Sequence, residues 1–252
     1  MKDRFQREID YIRISVTDKC NFRCRYCMPE EGVETIPHSE VLSFEEIVRV
    51  VSVLSELGIK KVKITGGEPL VRRDICTLIQ KMAKISGMED ITLTTNGFLL
   101  GEMAEQLKRA GIRTINVSVD TLNRREFADI CRRDGLDQVL DSIERAKNLG
   151  LEIRINTTVS EESNLKELFE LLEYFVNRDI PVRFIELMPI GCGHGSRVKN
   201  QDLQKMLKKR YPDFVRSNFS GNGPAIYYTF CKNKKVGFIS AVHNKFCESC
   251  NR

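Results

Sequence analysis

Three cysteines, Cys20, Cys24 and Cys27, are the residues of this 252-residue chain whose type and spacing most clearly predict chemistry. They are separated by three and then two residues, in a loop that follows an apolar, strand-like segment. Thiolates are soft ligands that suit iron and sulfide, and a cubane cluster has four irons. Three protein ligands would therefore leave one iron with an open position for a reaction. The alternatives are structural zinc and ordinary buried thiols, but zinc usually has a fourth ligand nearby in sequence, and none is obvious.

The composition is that of a folded chain that lacks the features of a membrane protein. Hydrophobic residues make up 41% and charged residues 30%, which allows one sizeable core. No segment approaches the roughly 20 apolar residues that span a bilayer, and the first ten residues are polar and charged rather than signal-like. Nine cysteines in such a chain indicate reduced thiols rather than disulfides. We therefore expect a cytoplasmic protein without a membrane partner.

The charge of the chain is mildly basic, at +5 from 40 basic and 35 acidic residues, and the basic residues are dispersed. Such an excess suits an anionic small molecule, but it equally suits a solvated surface that binds nothing. The absence of tryptophan and of a basic stripe argues against a nucleic-acid partner.

Six apolar segments alternate with amphipathic helical segments, and this alternation predicts the fold. The predicted strands are 11–17, 61–65, 91–95, 114–119, 152–159 and 182–187. Helices are expected from a capping box at Ser43 to Gly58, and then over 74–85, 99–111, 137–149 and 165–176. Because no hairpin signal separates the six strands, they should form a parallel sheet with right-handed crossovers. The predicted fold class is α/β, an incomplete (β/α)6 barrel of parallel strands with a partial carboxyl-terminal segment.

The pattern loosens after residue 190, and we divide the chain there into a barrel (1–190) and a carboxyl-terminal segment (191–252). The segment begins with a glycine-rich loop and contains a short basic helix over 202–210, a turn over 217–224, and two short strands, 226–231 and 235–240. The two strands are expected to form a hairpin. A second cysteine pair, Cys247 and Cys250, follows it.

Polar and turn-forming residues stand at the carboxyl ends of the predicted strands. Besides the cysteine loop, these groups are Gly66-Gly67-Glu68-Pro69, Thr94-Thr95-Asn96-Gly97, Ser118-Val119-Asp120, Asn156-Thr157-Thr158 and Glu186-Leu187-Met188-Pro189. Turn chemistry explains any one of them. Parallel barrels build their active sites on this face, so six such ends indicate an enzyme.

The cysteine spacing, with Tyr26 before the last cysteine, resembles the cluster loop of the radical S-adenosylmethionine (SAM) superfamily. The strand-end motifs, together with Asn116–Asp120, Arg183–Met188 and the ending Cys-x2-Cys-Asn-Arg, make the chain similar to the GTP 3′,8-cyclase family, molybdenum cofactor biosynthesis protein A. The resemblance runs from about Tyr11 to Arg252. It implies that cleaved SAM yields a 5′-deoxyadenosyl radical, which abstracts hydrogen from C3′ of GTP before the carbon radical attacks C8. This reaction begins the pathway from GTP to molybdopterin.

The resemblance also implies cofactors and binding residues. Cys20, Cys24 and Cys27 would hold a [4Fe-4S] cluster that binds SAM, and Cys247 and Cys250 would hold part of a second [4Fe-4S] cluster. SAM would be bound near Tyr26, Gly67, Ser118 and Met188, where a glycine lets the methionine group approach the backbone closely. GTP would be bound by Arg13, Lys63, Thr94, Arg154 and Arg252.

Two features depart from the family's pattern. Lys63 stands where the family has arginine and Arg154 where it has lysine, so charge is kept while the forked guanidinium geometry changes place. The third cysteine of the second cluster and a Gly-Gly carboxyl terminus are not in the sequence given. We therefore expect the sequence to be a fragment, and these residues alone to cleave SAM without cyclising GTP.

The partners that the resemblance implies are GTP, a reductant such as flavodoxin or ferredoxin, and the next enzyme of the molybdopterin pathway, with a homodimer as a candidate assembly. Two other functions stay open: a radical SAM enzyme that acts on another substrate, such as a peptide, and a non-catalytic iron–sulfur protein. A plain nucleotide-binding module is disfavoured, because no Gly-x4-Gly-Lys-Ser/Thr loop is present.

The remaining cysteines and the histidines receive no functional role from the sequence. Cys76, Cys131, Cys192 and Cys231 are interpreted as small buried apolar residues, with Cys192 notable for its glycine-rich surroundings. His38, His194 and His243 have no partners at ligand spacing.

Overall fold

The computed structural model describes residues 2–160, 163–195, 198–219 and 221–251, without the side chains of His38 and Ser249. The strands are β1 (Tyr11–Ser15), β2 (Lys61–Thr65), β3 (Asp90–Thr95), β4 (Thr114–Ser118), β5 (Glu152–Val159), β6 (Val182–Glu186), β7 (Val215–Arg216), β8 (Ile226–Phe230) and β9 (Lys234–Ile239). The helices are α1 (Phe44–Glu56), α2 (Ile75–Ala83), α3 (Leu100–Ala110), α4 (Arg124–Cys131), α5 (Leu136–Asn148), α6 (Leu165–Val176) and α7 (Asn200–Arg210). Short 3-10 helices cover His38–Glu40, Pro69–Val71 and Cys247–Ser249.

Strands β1 to β6 pair in chain order and in parallel, which confirms the predicted incomplete barrel. Within the described residues, β1 and β7 are the two edges of the sheet, so it stays open. The predicted capping box is also present: Ser43 Oγ accepts from the Glu46 amide, and the Glu46 carboxylate accepts from the Ser43 amide.

The predicted hairpin forms, but it does not stand apart from the barrel. Strand β9 pairs in parallel with β6, and β8 and β7 continue antiparallel from it. Three residues with positive φ, Cys231, Lys232 and Asn233, reverse the chain between β8 and β9. The sheet therefore continues across residue 190, and the division of the chain at that point stays a prediction.

Helix α4 was not predicted from the sequence. It has eight residues, and it buries only Phe127 and Cys131, too few positions for a clear helical period. Its start has the usual chemistry, because Asn123 Oδ1 accepts from the amides of Arg125 (3.0 Å) and Glu126 (3.3 Å).

The two faces of the parallel sheet differ sharply in chemistry. Successive residues of a strand point to opposite faces, and the register carries each set across the sheet. One set is apolar and buried in the core, and includes Val62, Ile64, Leu93, Ile115, Val117, Ile155 and Phe184. The other set, which we call the polar face, includes Arg13, Lys63, Thr94, Asn116, Arg154 and Arg183. None of the helices in the described residues is long and apolar enough to cross a bilayer.

Candidate active site at the carboxyl edge of the sheet

The Gly66-Gly67 pair joins β2 to the start of the cysteine loop, residues 20–28. The Gly67 amide donates to the Thr17 carbonyl (2.7 Å), and the Glu68 amide donates to the Lys19 carbonyl (2.8 Å). A Cβ atom on Gly67 would lie 2.4 Å from the Lys19 carbonyl oxygen. The sequence argument explained this glycine by the approach of a methionine group. The structure gives another reason, since the chain's own backbone occupies that space.

Glu68 then links β2 to β3 beneath the cysteine loop. Its buried carboxylate accepts from the Leu70 amide (3.0 Å), the Thr95 hydroxyl (2.7 Å) and the Asn96 amide (2.6 Å). Burial raises the pKa of the Glu68 carboxyl despite these donors. The Asn96 side chain reaches the loop itself, with Nδ2 2.7 Å from Asn21 Oδ1 and 3.9 Å from Cys20 Sγ.

Cys24 and Cys27 lie on a tight turn, and Cys20 precedes it in the same loop. Cys20 and Cys24 are half-buried and Cys27 is exposed, and the Cys27 amide donates to the Cys24 carbonyl (2.8 Å). The Cys24 thiol contacts those of Cys27 and Cys131. Contact with Cys131 raises the pKa of the Cys24 thiol, contact with Cys24 raises that of Cys27, and desolvation raises that of Cys20.

The donor set fits an iron–sulfur cluster. Three thiols come from one loop, and the Phe22 amide donates to Cys20 Sγ (3.4 Å), the type of contact that tunes cluster potentials. Among the described residues, no three or more Cys, His, Asp or Glu side chains are grouped so that they could hold a metal ion. The role of each cysteine as a ligand stays a prediction.

Tyr26 ties the cysteine loop to the ends of β4 and β5. Its hydroxyl donates to Asp120 Oδ2 (2.6 Å), and the Thr158 amide donates to Asp120 Oδ1 (2.6 Å). Desolvation raises the pKa of both side chains. A cavity of about 190 Å³ lies beside this pair, and its lining includes Leu187 and Cys192.

The other residues predicted to bind SAM are distributed around the same edge. Gly67 follows β2, Ser118 ends β4 and is half-buried, and Met188 follows β6 with 45% of its surface exposed. The structure therefore brings them to one end of the sheet.

The polar face carries the cations predicted to bind GTP. Arg13 and Lys63 are neighbours in the β1–β2 register, and Arg154 lies across β4 from Thr94. Arg13 Nε lies 3.4 Å from Thr65 Oγ1, and Arg154 Nη2 lies 3.4 Å from Glu152 Oε2. Arg252 lies outside the described residues.

Arg183 is a fourth cation on this face, and the sequence analysis did not single it out as a candidate binding residue. It is buried, its guanidinium contacts Asn116 Oδ1, and its Nε has no hydrogen-bond partner within the described residues. Desolvation lowers its pKa. A Cβ atom on Gly237 would lie 2.9 Å from Arg183 Cγ, so that glycine makes room for the side chain. The segment Arg183-Phe184-Ile185-Glu186 does not alternate between polar and apolar residues, so only the register of β5 and β6 places Arg183 on this face.

The second cysteine pair lies at the opposite end of the sheet. Cys247 is exposed and Cys250 half-buried on a 3-10 turn. Arg7 Nη1 donates to the Cys247 carbonyl (2.5 Å), and Asn251 Nδ2 donates to Asp10 Oδ1 (2.7 Å). Asp10 directly precedes β1, whereas the cysteine loop follows it. Five strand residues span roughly 17 Å, so the polar face lies between the two cysteine segments.

His243, which the sequence analysis left without a role, has a partner in the fold. Its Nδ1 lies 3.3 Å from Glu186 Oε1. The buried Glu186 also accepts from the amides of Asn200 (3.2 Å), Val242 (3.1 Å) and His243 (3.0 Å). This carboxylate therefore joins the segment after β9 to the carboxyl end of β6 by hydrogen bonds.

Comparison with known proteins defines the class. The family "Radical SAM superfamily" matches residues 14–175, and the family "Molybdenum Cofactor Synthesis C" matches residues 180–252. The fold is shared with Streptococcus suis SuiB bound to S-adenosylmethionine (TM-score 0.64, 18% identity, 81% of this chain and 48% of that one). It is also shared with methylornithine synthase, PylB (TM-score 0.64, 16% identity, 80% of this chain and 62% of that one). The fold and the cysteine loop thus define a radical SAM protein.

Curated relatives identify the family more closely. GTP 3′,8-cyclases of Clostridium perfringens, Syntrophomonas wolfei and Desulforamulus reducens are 44%, 43% and 44% identical to this chain. Each match covers all of this chain and 79–80% of the relative. The chain belongs to the GTP 3′,8-cyclase family.

Proposed function

We propose that the protein converts GTP to (8S)-3′,8-cyclo-7,8-dihydroguanosine 5′-triphosphate, the first step from GTP to molybdopterin. The observation that carries the proposal is the position of the polar face. Its cations line the sheet between a cysteine loop at the carboxyl ends of the strands and a cysteine pair at the amino ends.

The carboxyl edge is the proposed cofactor site. Cys20, Cys24 and Cys27 would hold the first cluster, and Tyr26, Gly67, Ser118 and Met188 would surround SAM. When bound, the cluster and SAM supply a 5′-deoxyadenosyl radical by reductive cleavage of SAM. The Tyr26–Asp120 hydrogen bond fixes one wall of this site to β4 and β5.

The polar face is the proposed substrate site. Arg13, Lys63, Arg154 and Arg183 would give charge-assisted hydrogen bonds to the triphosphate, with the Thr94 hydroxyl beside them. Arginine can hold two phosphate oxygens with its planar fork, whereas Lys63 supplies one compact charge. Substrate held on this face would be partly shielded from water by the open barrel.

The second cysteine pair and the partners belong to the proposal as well. Cys247 and Cys250 would supply two ligands of a second [4Fe-4S] cluster on the purine side of GTP. A flavodoxin or ferredoxin would deliver the electron, and the product would pass to the next enzyme of the molybdopterin pathway. A homodimer is the proposed assembly.

The test is anaerobic reconstitution with iron and sulfide, followed by dithionite, SAM and GTP deuterated at C3′. We expect about four irons or more per chain and 5′-deoxyadenosine that carries deuterium, because the hydrogen comes from C3′. ATP deuterated at C3′ is the matched control and should give no deuterated product. Deoxyadenosine without deuterium from GTP would favour a different substrate, such as a peptide. Iron without any SAM cleavage would favour a non-catalytic iron–sulfur protein.

A further inference from the structure

The carboxyl end of α4 is hydrogen-bonded to the cysteine loop through the backbone. The Arg25 amide donates to the Ile130 carbonyl (2.9 Å), and the Arg23 amide donates to the Cys131 carbonyl (3.0 Å). The last carbonyls of a helix have no partner inside it, so they are free to accept from another segment. Two amides that flank Cys24 therefore depend on this helix end.

Arg132 adds a side-chain link at the same place. Its Nη1 donates to the carbonyl of Arg23 (3.1 Å) and to that of Met28 (3.0 Å). One carbonyl directly precedes Cys24, and the other directly follows Cys27. A single guanidinium thus fixes both ends of the turn that carries these two cysteines.

The backbone conformation of Arg132 is uncommon. It ends α4 with φ 50° and ψ 35°, a left-handed conformation that residues other than glycine, asparagine and aspartate rarely adopt. The turn directs the next side chain to the loop as well. Arg133 Nη1 donates to the Asn21 carbonyl (2.9 Å), beside Cys20, and its guanidinium lies 4.1 Å from the centre of the Phe98 ring.

We propose that residues 130–133, the α4 clamp, position the cysteine loop for its cluster, with Arg132 as the central positioning residue. The inference rests on the proposed function in one respect, namely that the loop holds a cluster. Arg132 acts through two backbone carbonyls rather than on cofactor or substrate. A loop already held in the bound shape loses less conformational entropy when its thiols take up iron.

The test compares the reconstituted full chain with Arg132→Asn, Arg132→Lys and a control, Arg125→Ala. Asparagine tolerates the left-handed conformation, so the first variant removes the guanidinium without adding backbone strain. Lysine keeps the charge but loses the planar fork. Arg125 is an exposed residue in the first turn of the same helix.

Three measurements report on the cysteine loop rather than on catalytic turnover. They are iron release to a chelator under anaerobic conditions, the electron paramagnetic resonance (EPR) spectrum of the reduced cluster, and amide hydrogen exchange of residues 23–28. We expect Arg132→Asn to release iron roughly 10-fold faster, because residues that orient metal ligands typically contribute 10–100-fold to metal affinity. Its EPR signal should broaden, and its loop amides should exchange faster. Arg132→Lys should lie between this variant and the wild type, and Arg125→Ala should match the wild type.

The proposal fails if Arg132→Asn matches the wild type in iron release and loop exchange, or if Arg125→Ala accelerates both equally. Should Arg132→Asn not fold, wild-type values for Arg132→Lys in all three readouts would overturn it. All three are measured without GTP. Failure of the wild type to transfer deuterium from C3′ of GTP to 5′-deoxyadenosine would therefore contradict the proposed function while leaving the test of the α4 clamp intact.

Discussion

The two cysteine segments of this chain are held in very different ways. The first is hydrogen-bonded to residues that follow three of the parallel strands. These are Gly67 and Glu68 after β2, Asn96 after β3, and Asp120 after β4, which accepts from Tyr26. The second is a short turn, and its hydrogen bonds include those from Arg7 to the Cys247 carbonyl and from Asn251 to Asp10. The fold therefore preorganises the first site through several successive strand ends, whereas the hydrogen bonds from Arg7 and Asn251 join the second site to the segment just before β1.

This contrast matters because the two segments are proposed to act on one substrate. The polar face between them carries four cations on strands whose register is fixed by the sheet. A rigid first site can start the chemistry in a defined place.

The largest effect should come from removing a proposed cluster ligand of the first segment. We expect Cys24→Ala to bring iron in the first site and formation of 5′-deoxyadenosine to background, because the other two thiols cannot secure the cluster alone. Cys247→Ala is the matched variant at the other end, and it should leave SAM cleavage close to wild type. Iron analysis and a deoxyadenosine assay measure both. Equal loss in the two variants would remove the functional distinction between the segments.

The next effect concerns the glycines beside the two segments. Gly67→Ala would place a Cβ atom 2.4 Å from the Lys19 carbonyl oxygen, and the backbone must move to relieve the clash. We expect a loss of about 3 kcal/mol in the free energy of unfolding, or roughly 6–12 °C in Tm for a chain of this length. The control is Gly223→Ala near Cys250, where nothing lies within 4 Å of the new atom. Thermal unfolding of the metal-free chain measures both variants. Equal Tm values would contradict the close approach of residue 67 to the Lys19 carbonyl.

A smaller effect, on GTP binding, is expected from removing a cation of the polar face between the two segments. Lys63→Ala should weaken GTP binding by about 1.5 kcal/mol, roughly tenfold in Kd, since one charge-assisted hydrogen bond is lost. SAM cleavage without GTP should not change. Lys60→Ala, which removes an exposed cation paired with Glu89, is the control. Isothermal titration of the reconstituted chain measures both, and unchanged GTP affinity in Lys63→Ala would place the triphosphate elsewhere.

The smallest effect is a pH dependence at the first site. Desolvation raises the pKa of Asp120 above its ordinary 3.8, so the folded chain binds that proton more tightly than the unfolded chain. Its contribution to stability is complete below the ordinary pKa and is lost as the pH rises through the raised one. Asp120→Asn should therefore gain stability relative to the wild type as the pH rises above the ordinary pKa of Asp120.

Denaturant unfolding of the metal-free chain at several pH values measures this difference. Asp129→Asn is the control, because Asp129 is an exposed residue whose side chain pairs with Arg25. A stability difference that stays constant with pH, or that changes in the opposite direction, would contradict the desolvation of Asp120.

Most of the fold was predictable because it depends on local periodicity. The predicted strands 61–65 and 152–159 match β2 and β5, and the other four parallel strands differ from prediction by one or two residues at one end. Helix α4 was not predicted, because eight residues with two buried positions leave almost no periodic signal. The same limit applies to β7, a two-residue strand that lies between the predicted helix 202–210 and the predicted turn 217–224, where no element was predicted.

The sequence by itself determined which residues can do chemistry: three thiols at a fixed spacing, polar groups after six strands, and cations at alternating strand positions. Only the tertiary structure decided how they meet. It placed the two cysteine segments at opposite ends of one sheet, joined β9 to β6, brought Arg183 to the polar face, and set Arg132 against the carbonyls of Arg23 and Met28. Spacing and periodicity are local properties that sequence records directly, whereas these contacts join residues about fifty to a hundred or more positions apart, and their geometry exists only once the chain has packed.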